Sequence, residues 1–409
     1  MQHDDKGPVG VILAGGGARG AYEAGALSVL LPALEARGQR PTVFIGTSAG
    51  ALNAVLFAAH AHQPAQEAAD AALAVWRHVG RAQVIKPILG SGLKAGLHYL
   101  AQLLRLPVQL NSVLDASPLQ DTLGSQLDWQ QLHRNTQDPR ILAAVAVVAT
   151  ACSTGRTTVF VQGSAAAALA PNDDERAMDY VCTPLDISHV MASAAIPVLF
   201  SPIKIDSPAA SAGWYIDGGV RLNVPIKPAV ALGISRAIII ATDPLKHSVP
   251  APGPVGPTPD IYAAVAEVIH AALVDSMVED VRTLGKVNEL LLGCPGMSPP
   301  PRAGGKDRSH RPIPYLFVGP SLPGQLGKTA HVAIQRRYGG GKWLLNGIDY
   351  PLLHQLLGGG KQARNELLSF LLFEHTFIES AIEMGQRDAR RILEKSAEGI
   401  PWQMTGQDE

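Results

Sequence analysis

The sequence predicts an α/β fold around a mainly parallel sheet, and three observations carry that expectation. Apolar, β-prone runs alternate with helix-forming stretches through the first half of the chain. Two of the strand-to-helix junctions are glycine-rich, Gly15-Gly16-Gly17-Ala18-Arg19-Gly20 and Gly46-Thr47-Ser48-Ala49-Gly50. The apolar run Ile141 to Ala151 is rich in β-branched residues and too short to span a bilayer, so it reads as a buried central strand.

Val9–Ala14 reads as the first strand and Ala21–Ala36 as the helix that follows its glycine turn. The β-prone Thr42–Ile45 is the second strand, and the alanine- and leucine-rich Ala51–Ala61 is the next helix. Ala65–Val79 continues as another helix, with Trp76 expected to face the core. In Ile85 to Leu110, Leu93, Leu97, Leu100 and Leu104 recur at helical spacing beside Lys94, His98 and Arg105. That pattern predicts a surface helix packing its leucine stripe inward, with a lid or an interfacial contact as the alternative.

Ile141–Ala149 and Thr157–Gln162 read as strands joined through Ser153-Thr154-Gly155-Arg156. Asp186–Ser193 is a short helix that stops before Pro197. The strand-like Gly213–Ile216 runs into Asp217-Gly218-Gly219, and Arg236–Ala241 is a further buried strand. Residues 244–259 form a Pro-rich loop. Beyond it Ile261–Leu292 has a helical pattern, and Pro295 to Pro314 is a loop carrying Arg302, Lys306, Arg308, His310 and Arg311. Tyr315–Val318 returns a strand to the sheet, and Glu366 to Glu394 closes the chain as one long helical pattern.

Composition narrows the function. The chain of 409 residues carries 34 basic and 35 acidic side chains, a net charge of −1, which gives no footprint for nucleic acid. Cys152, Cys182 and Cys294 are odd in number and widely spaced, so they form neither a disulfide framework nor a metal site, and buried free thiols are expected. No cofactor or metal is expected. Residues Met1 to Lys6 lack the basic and apolar regions of a signal peptide, so a cytoplasmic protein is expected, with a peripheral membrane contact left open.

The chemistry lies in the glycine turns. Gly-X-Ser-X-Gly alone is a weak motif in a chain with 41 glycines, but here it stands between a strand and a helix, as a nucleophile elbow requires. Gly46 and Gly50 flank Ser48, where a Cβ would crowd the strained turn. The first turn also reads Gly15-x-Gly17-x-x-Gly20, a dinucleotide fingerprint. That reading needs an acidic residue at the end of the second strand, yet no Asp or Glu lies between Glu35 and Glu67. The pair of turns instead points to nucleophilic acyl chemistry. Asp217 before Gly218-Gly219 is one candidate base; downstream histidines such as His247, His270, His310, His331, His354 and His375 are the others, none in a distinctive motif.

Taken in order, Gly15–Gly20, Gly46–Gly50 and Asp217–Gly219 resemble the motifs of the patatin-like phospholipase family. Ser117-Pro118-Leu119, Ser193-Ala194-Ala195-Ile196-Pro197 and Val220-Arg221-Leu222-Asn223-Val224-Pro225 echo the same family, so the resemblance spans roughly residues 9 to 243. It implies a three-layer α/β/α fold over 9–243 and leaves 260–409 as a mostly helical extension packing on the same domain. It also implies a Ser–Asp dyad, with Ser48 as nucleophile, Asp217 as base, the Gly15, Gly16 and Gly17 amides as oxyanion hole and Arg19 supporting that loop. The implied activity is a serine acyl hydrolase of phospholipase A, lysophospholipase or lipid esterase type. Acyl-carrier-protein transacylases share the elbow but resemble Gly-His-Ser-Leu-Gly with a histidine partner, against which Thr47, Ala49 and the Asp-Gly-Gly argue. A non-catalytic lipid-binding module is disfavoured because all three motifs are intact.

Overall fold

The computed structural model describes residues 7–84, 86, 114–169, 172–245, 279–293, 311–338, 361–396 and 399–405. The amphipathic segment near Leu97, most of the Pro-rich loop, residues 261–278, the basic side chains from Arg302 to His310, and Cys294 lie outside the described residues.

Ten strands form one mixed sheet. They are β1 (Val9–Leu13), β2 (Val43–Thr47), β3 (Ala144–Ala151), β4 (Thr157–Gln162), β5 (Asn172–Asp173), β6 (Met178–Cys182), β7 (Ile203–Ile205), β8 (Gly213–Asp217), β9 (Arg236–Ile240) and β10 (Tyr315–Val318). The order β10-β9-β1-β2-β3 is parallel throughout. β4 then runs antiparallel to β3, and β6 and β5 complete that edge. β8 pairs antiparallel with β3 and carries β7 outside it.

The described helices that carry the argument are α1 (Gly20–Glu35), α2 (Ala49–Ala59), α3 (Ala65–His78), α4 (Ser117–Gln126), α5 (Trp129–Asn135), α6 (Ile187–Ser193), α7 (Ile226–Ala231), α8 (Gln325–Tyr338), α9 (Lys361–Leu371) and α10 (His375–Leu393). Strand alternation divides the core into two. Val11, Leu13, Phe44, Val147 and Ala149 pack with Leu27 of α1, Val55 of α2 and Ile382 of α10. On the opposite face Ile12, Ile45, Val148 and Ile239 pack with Ala229 of α7 and with Val281 and Leu284 from the helical residues 279–293. Helices therefore cover both faces, in the three-layer α/β/α arrangement. Trp76 is buried in the first cluster, as its position on α3 predicts. Among the described residues no helix is long and apolar enough to cross a membrane.

Several expectations change. The central strand starts three residues later than predicted, at Ala144, because the Ile141 and Leu142 amides close a turn onto Asp138. The pattern from Glu366 to Glu394 is two helices, not one. Glu374 adopts an extended backbone, accepts a hydrogen bond from the Phe377 amide at 3.2 Å and pairs with Arg337 at 2.9 Å, so it caps a new helix and interrupts the old one. Cys152 and Cys182 are exposed rather than buried. Cys152 opens the turn after β3, and Cys182 ends β6 beyond the reach of the two-residue β5. Sequence periodicity also passes over short elements such as β7, α5 and α7.

Candidate functional site

β2 delivers Ser48 at its carboxyl end, where the chain turns at once into α2. Ser48 has φ 55° and ψ −123°, a left-handed backbone that a residue with a side chain rarely adopts. The turn is that sharp because Gly46 lies against the Gly50 carbonyl, and a Cβ on Gly50 would sit 2.5 Å from the carbonyls of Leu13 and Ala14. The strain is held by named bonds. The Ser48 amide donates to Ser193 Oγ at 2.8 Å, and Ser193 Oγ in turn donates to the Val148 carbonyl at 2.6 Å. Thr47 Oγ1 donates to the Leu222 carbonyl at 3.0 Å. Behind the serine, the Ala51 and Leu52 amides close the first turn of α2 on the Ser48 carbonyl.

Register brings Asp217 to this point. β2 pairs with β3 only as far as Thr47 opposite Val148, and β8 continues along the same flank with Asp217 opposite Ala149. The other flank of Ala149 is already taken by β4. Asp217 therefore arrives where the elbow leaves the sheet. Its amide donates to the Ala195 carbonyl at 2.9 Å, and its carbonyl accepts from Thr150 Oγ1 at 3.1 Å. A Cβ on Gly218 would collide with the Val148 carbonyl, which is why the strand can only end in glycine here.

The Asp217 side chain has no exposed surface. Oδ1 accepts from the Gly219 amide at 2.7 Å, and Oδ2 has no hydrogen-bond partner. Burial pushes the carboxyl up to about 7, with the Gly219 amide and the nearby Ser48 hydroxyl pulling the other way. The Ser48 hydroxyl thus lowers the carboxyl as a nearby hydrogen-bond donor, although no hydrogen bond from it to Asp217 Oδ2 meets strict geometry.

The first glycine turn faces the serine. A Cβ on Gly15 would lie 3.3 Å from Ser48 Cβ. The Gly15 amide is already engaged, donating to Asn223 Oδ1 at 3.0 Å and to the Asn223 carbonyl at 3.2 Å. The Gly16 and Gly17 amides donate to no acceptor among the described residues. Gly17 has φ 55° and lies against the Phe370 carbonyl of α9, so only glycine fits. Gly20 begins α1 against Ala49 and Trp76, where a Cβ would be 2.8 Å from each.

Arg19 is fully buried beneath this loop. Its amide closes the turn on the Gly16 carbonyl at 3.0 Å, and its Nε donates to Ser369 Oγ at 2.6 Å. Nη1 reaches Asp243 Oδ2 at 3.4 Å; Nη2 donates to the Glu366 carbonyl at 2.9 Å and pairs with Glu366 Oε2.

No histidine among the described residues hydrogen-bonds to Ser48 or Asp217. His331 lies on α8, and His375 opens α10 at an exposed position. The buried His189 pairs instead with Asp186, the cap of its own helix, at 2.8 Å. Under the elbow, Glu23 accepts from Asn53 Nδ2 at 2.9 Å, and Asn53 Oδ1 accepts from Trp76 Nε1 at 2.7 Å. Burial holds the Glu23 carboxyl well above the usual carboxylate range. Among the described residues no three His, Cys, Asp or Glu side chains cluster as metal ligands.

Ser193 and Asn223 were visible in the sequence only as members of short family-like echoes, without a role. The partners of Arg19 carried no signal, since each contact spans more than two hundred residues.

A sequence model described as patatin-like phospholipase matches residues 11–230, more than half of the 409. The matched region contains Ser48, Asp217 and both glycine turns and ends before Asp243 and Glu366. No curated protein matches the chain. Among solved structures, VipD from Legionella pneumophila aligns over 86% of this chain and 67% of its own, at 15% identity and a TM-score of 0.30, a likeness too loose to carry an argument.

Proposed function

The chain belongs to the patatin-like phospholipase family, a family of lipid acyl hydrolases, and we propose that it cleaves carboxylic ester bonds of lipids through a Ser48–Asp217 dyad and an acyl-enzyme. The observation that carries this reading is the buried Asp217, its Oδ2 without a hydrogen-bond partner, near the strained Ser48 and a glycine loop whose Gly16 and Gly17 amides are unengaged.

Ser48 Oγ attacks the ester carbonyl while Asp217 Oδ2 accepts its proton. A carboxyl raised to about 7 is a competent base near neutral pH, where an ordinary aspartate is a weak one. The Gly16 and Gly17 amides stabilise the tetrahedral oxyanion, and the start of α2 adds positive potential under the serine. Gly15 serves differently, holding the loop to Asn223. Collapse of the intermediate returns the proton from Asp217 to the departing alcohol. The carboxylate then takes a proton from water, whose oxygen attacks the acyl-enzyme, and Asp217 returns that proton to Ser48 Oγ as the bond breaks and the fatty acid is released.

Incubation with a fluorophosphonate probe and with a phospholipid and short acyl esters tests the reading. Wild type is expected to label and to release fatty acid, and Ser48→Ala to do neither. Equal labelling or equal release by Ser48→Ala overturns it. Transfer of the acyl group to an added alcohol in preference to water would move the reaction to an acyltransferase. Activity confined to short soluble esters would narrow the substrate to small carboxylic esters.

A further inference from the structure

We infer that α9 sets the position of the oxyanion loop through Arg19, with Glu366 and Ser369 as positioning residues that lie outside the family-matched segment. The inference rests on the Ser48 reading above and assigns a role to the C-terminal region within that site.

The Arg19 guanidinium sits in a receptor shaped for it. Four donor contacts go to Ser369 Oγ, Asp243 Oδ2, the Glu366 carbonyl and Glu366 Oε2, and the Phe370 ring covers one face with its centroid 4.0 Å from the guanidinium carbon. Planar donors and a stacked ring make a site that a lysine ammonium cannot fill. Four of these five contacts come from one turn of α9, Glu366 to Phe370, and Ser369 Oγ also donates to the Glu366 carbonyl at 2.5 Å. That turn is internally braced before Arg19 engages it.

The same turn touches the loop directly. The Phe370 carbonyl fills the space where a Gly17 side chain would stand, and Thr242 does so at Gly16, 2.9 Å from an added Cβ. Gly16 and Gly17 are thus backed by Thr242 and α9, and the loop is tethered by Arg19, whose amide closes on the Gly16 carbonyl. The loop has no sheet pairing of its own, because β1 ends at Leu13. With Gly15 held to Asn223, the aim of the Gly16 and Gly17 amides depends on how well this backing holds them. A misplacement near 1 Å in such a group can cost about 100-fold in rate.

Glu366→Ala, Glu366→Gln and Ser369→Ala in the full chain test the role, with turnover of an acyl ester expressed per fluorophosphonate-titrated serine so that unfolded protein drops out. Glu366→Ala is expected to lower kcat about 10- to 100-fold with KM within about twofold. Glu366→Gln keeps a carbonyl oxygen for Nη2 and is expected to recover most of the loss. Ser369→Ala, which removes the Nε acceptor and the bond that braces the Glu366 carbonyl, is expected to lower kcat about threefold or more. Wild-type turnover per labelled serine in Glu366→Ala, whatever its thermal stability, overturns the inference. If Glu366→Ala does not fold, wild-type turnover in both Ser369→Ala and Glu366→Gln overturns it. A wild type that neither labels nor hydrolyses overturns the Ser48 reading and this one together, which distinguishes the two failures.

Discussion

Burial raises Asp217 to about 7, and that single shift sets opposite pH responses for activity and for stability. In the proposed dyad activity needs the carboxylate, so kcat/KM is expected to rise with pH through about 7 and then level. Stability runs the other way. Between the ordinary carboxylate range and 7 the folded protein holds a proton that the unfolded chain has lost, so stability falls as pH rises across that window. The full penalty of ionising the buried group is about 4 kcal/mol above pH 7. Asp217→Asn is therefore expected to abolish ester hydrolysis yet to raise Tm at pH 8, with the gain shrinking toward pH 4. Thermal melts of both proteins at the two pH values check this, and a lower Tm for Asp217→Asn at pH 8 refutes it. This kind of residue was half legible: Asp217-Gly218-Gly219 stood out in the sequence, but its lone buried oxygen depends on β3, α6 and Ser48 meeting around it.

At the scale of elements, α1 and α10 pack backbone to backbone. Gly25 lies against the Ile382 carbonyl and Gly385 against the Tyr22 carbonyl, so the two backbones touch without side chains between them. Tyr22 Oη donates to Asp388 Oδ2 at 3.0 Å and fixes the register of the pair. A methyl group on Gly385 has no space, and Gly385→Ala is expected to cost about 1–3 kcal/mol by overpacking, read as a lower urea midpoint with unchanged m-value. An unchanged midpoint would mean that the helices part freely. Elements of this kind divide by what sets them. β1, β2, β4 and α1 to α3 were legible because local apolar periodicity and glycine turns decide them. The break at Glu374 was not, since it depends on Arg337 from a distant helix, and β7 depends wholly on pairing with β8.

Across the whole molecule, the region matched by the family does not contain the whole of its core. β10 pairs with β9, and Leu368, Leu371, Phe377, Ile378 and Ile382 pack in one cluster with Val11 and Leu13 of β1. A fragment ending at residue 245 would expose that apolar face and leave Arg19 without Glu366, Ser369 and Phe370. It is expected to be insoluble or to lack a cooperative thermal transition, measured by circular dichroism and sedimentation. A fragment that melts cooperatively and hydrolyses esters would show that the C-terminal helices are dispensable. The sequence hinted at a helical region there but gave no reason for it, because its purpose lies in contacts that no local pattern records.

The wide separation of Arg19 from its partners also bears on how the protein is made. A ribosome has completed the elbow and its acid long before it reaches residues 366–370, whose links to Arg19 span about 350 positions. Contacts so distant form late in folding. The nascent chain therefore carries the proposed serine and base while still lacking the brace for the glycine loop beside the serine. Such a lipid-cleaving protein would gain its hydrolytic competence as a last step, after most of its surface is already closed.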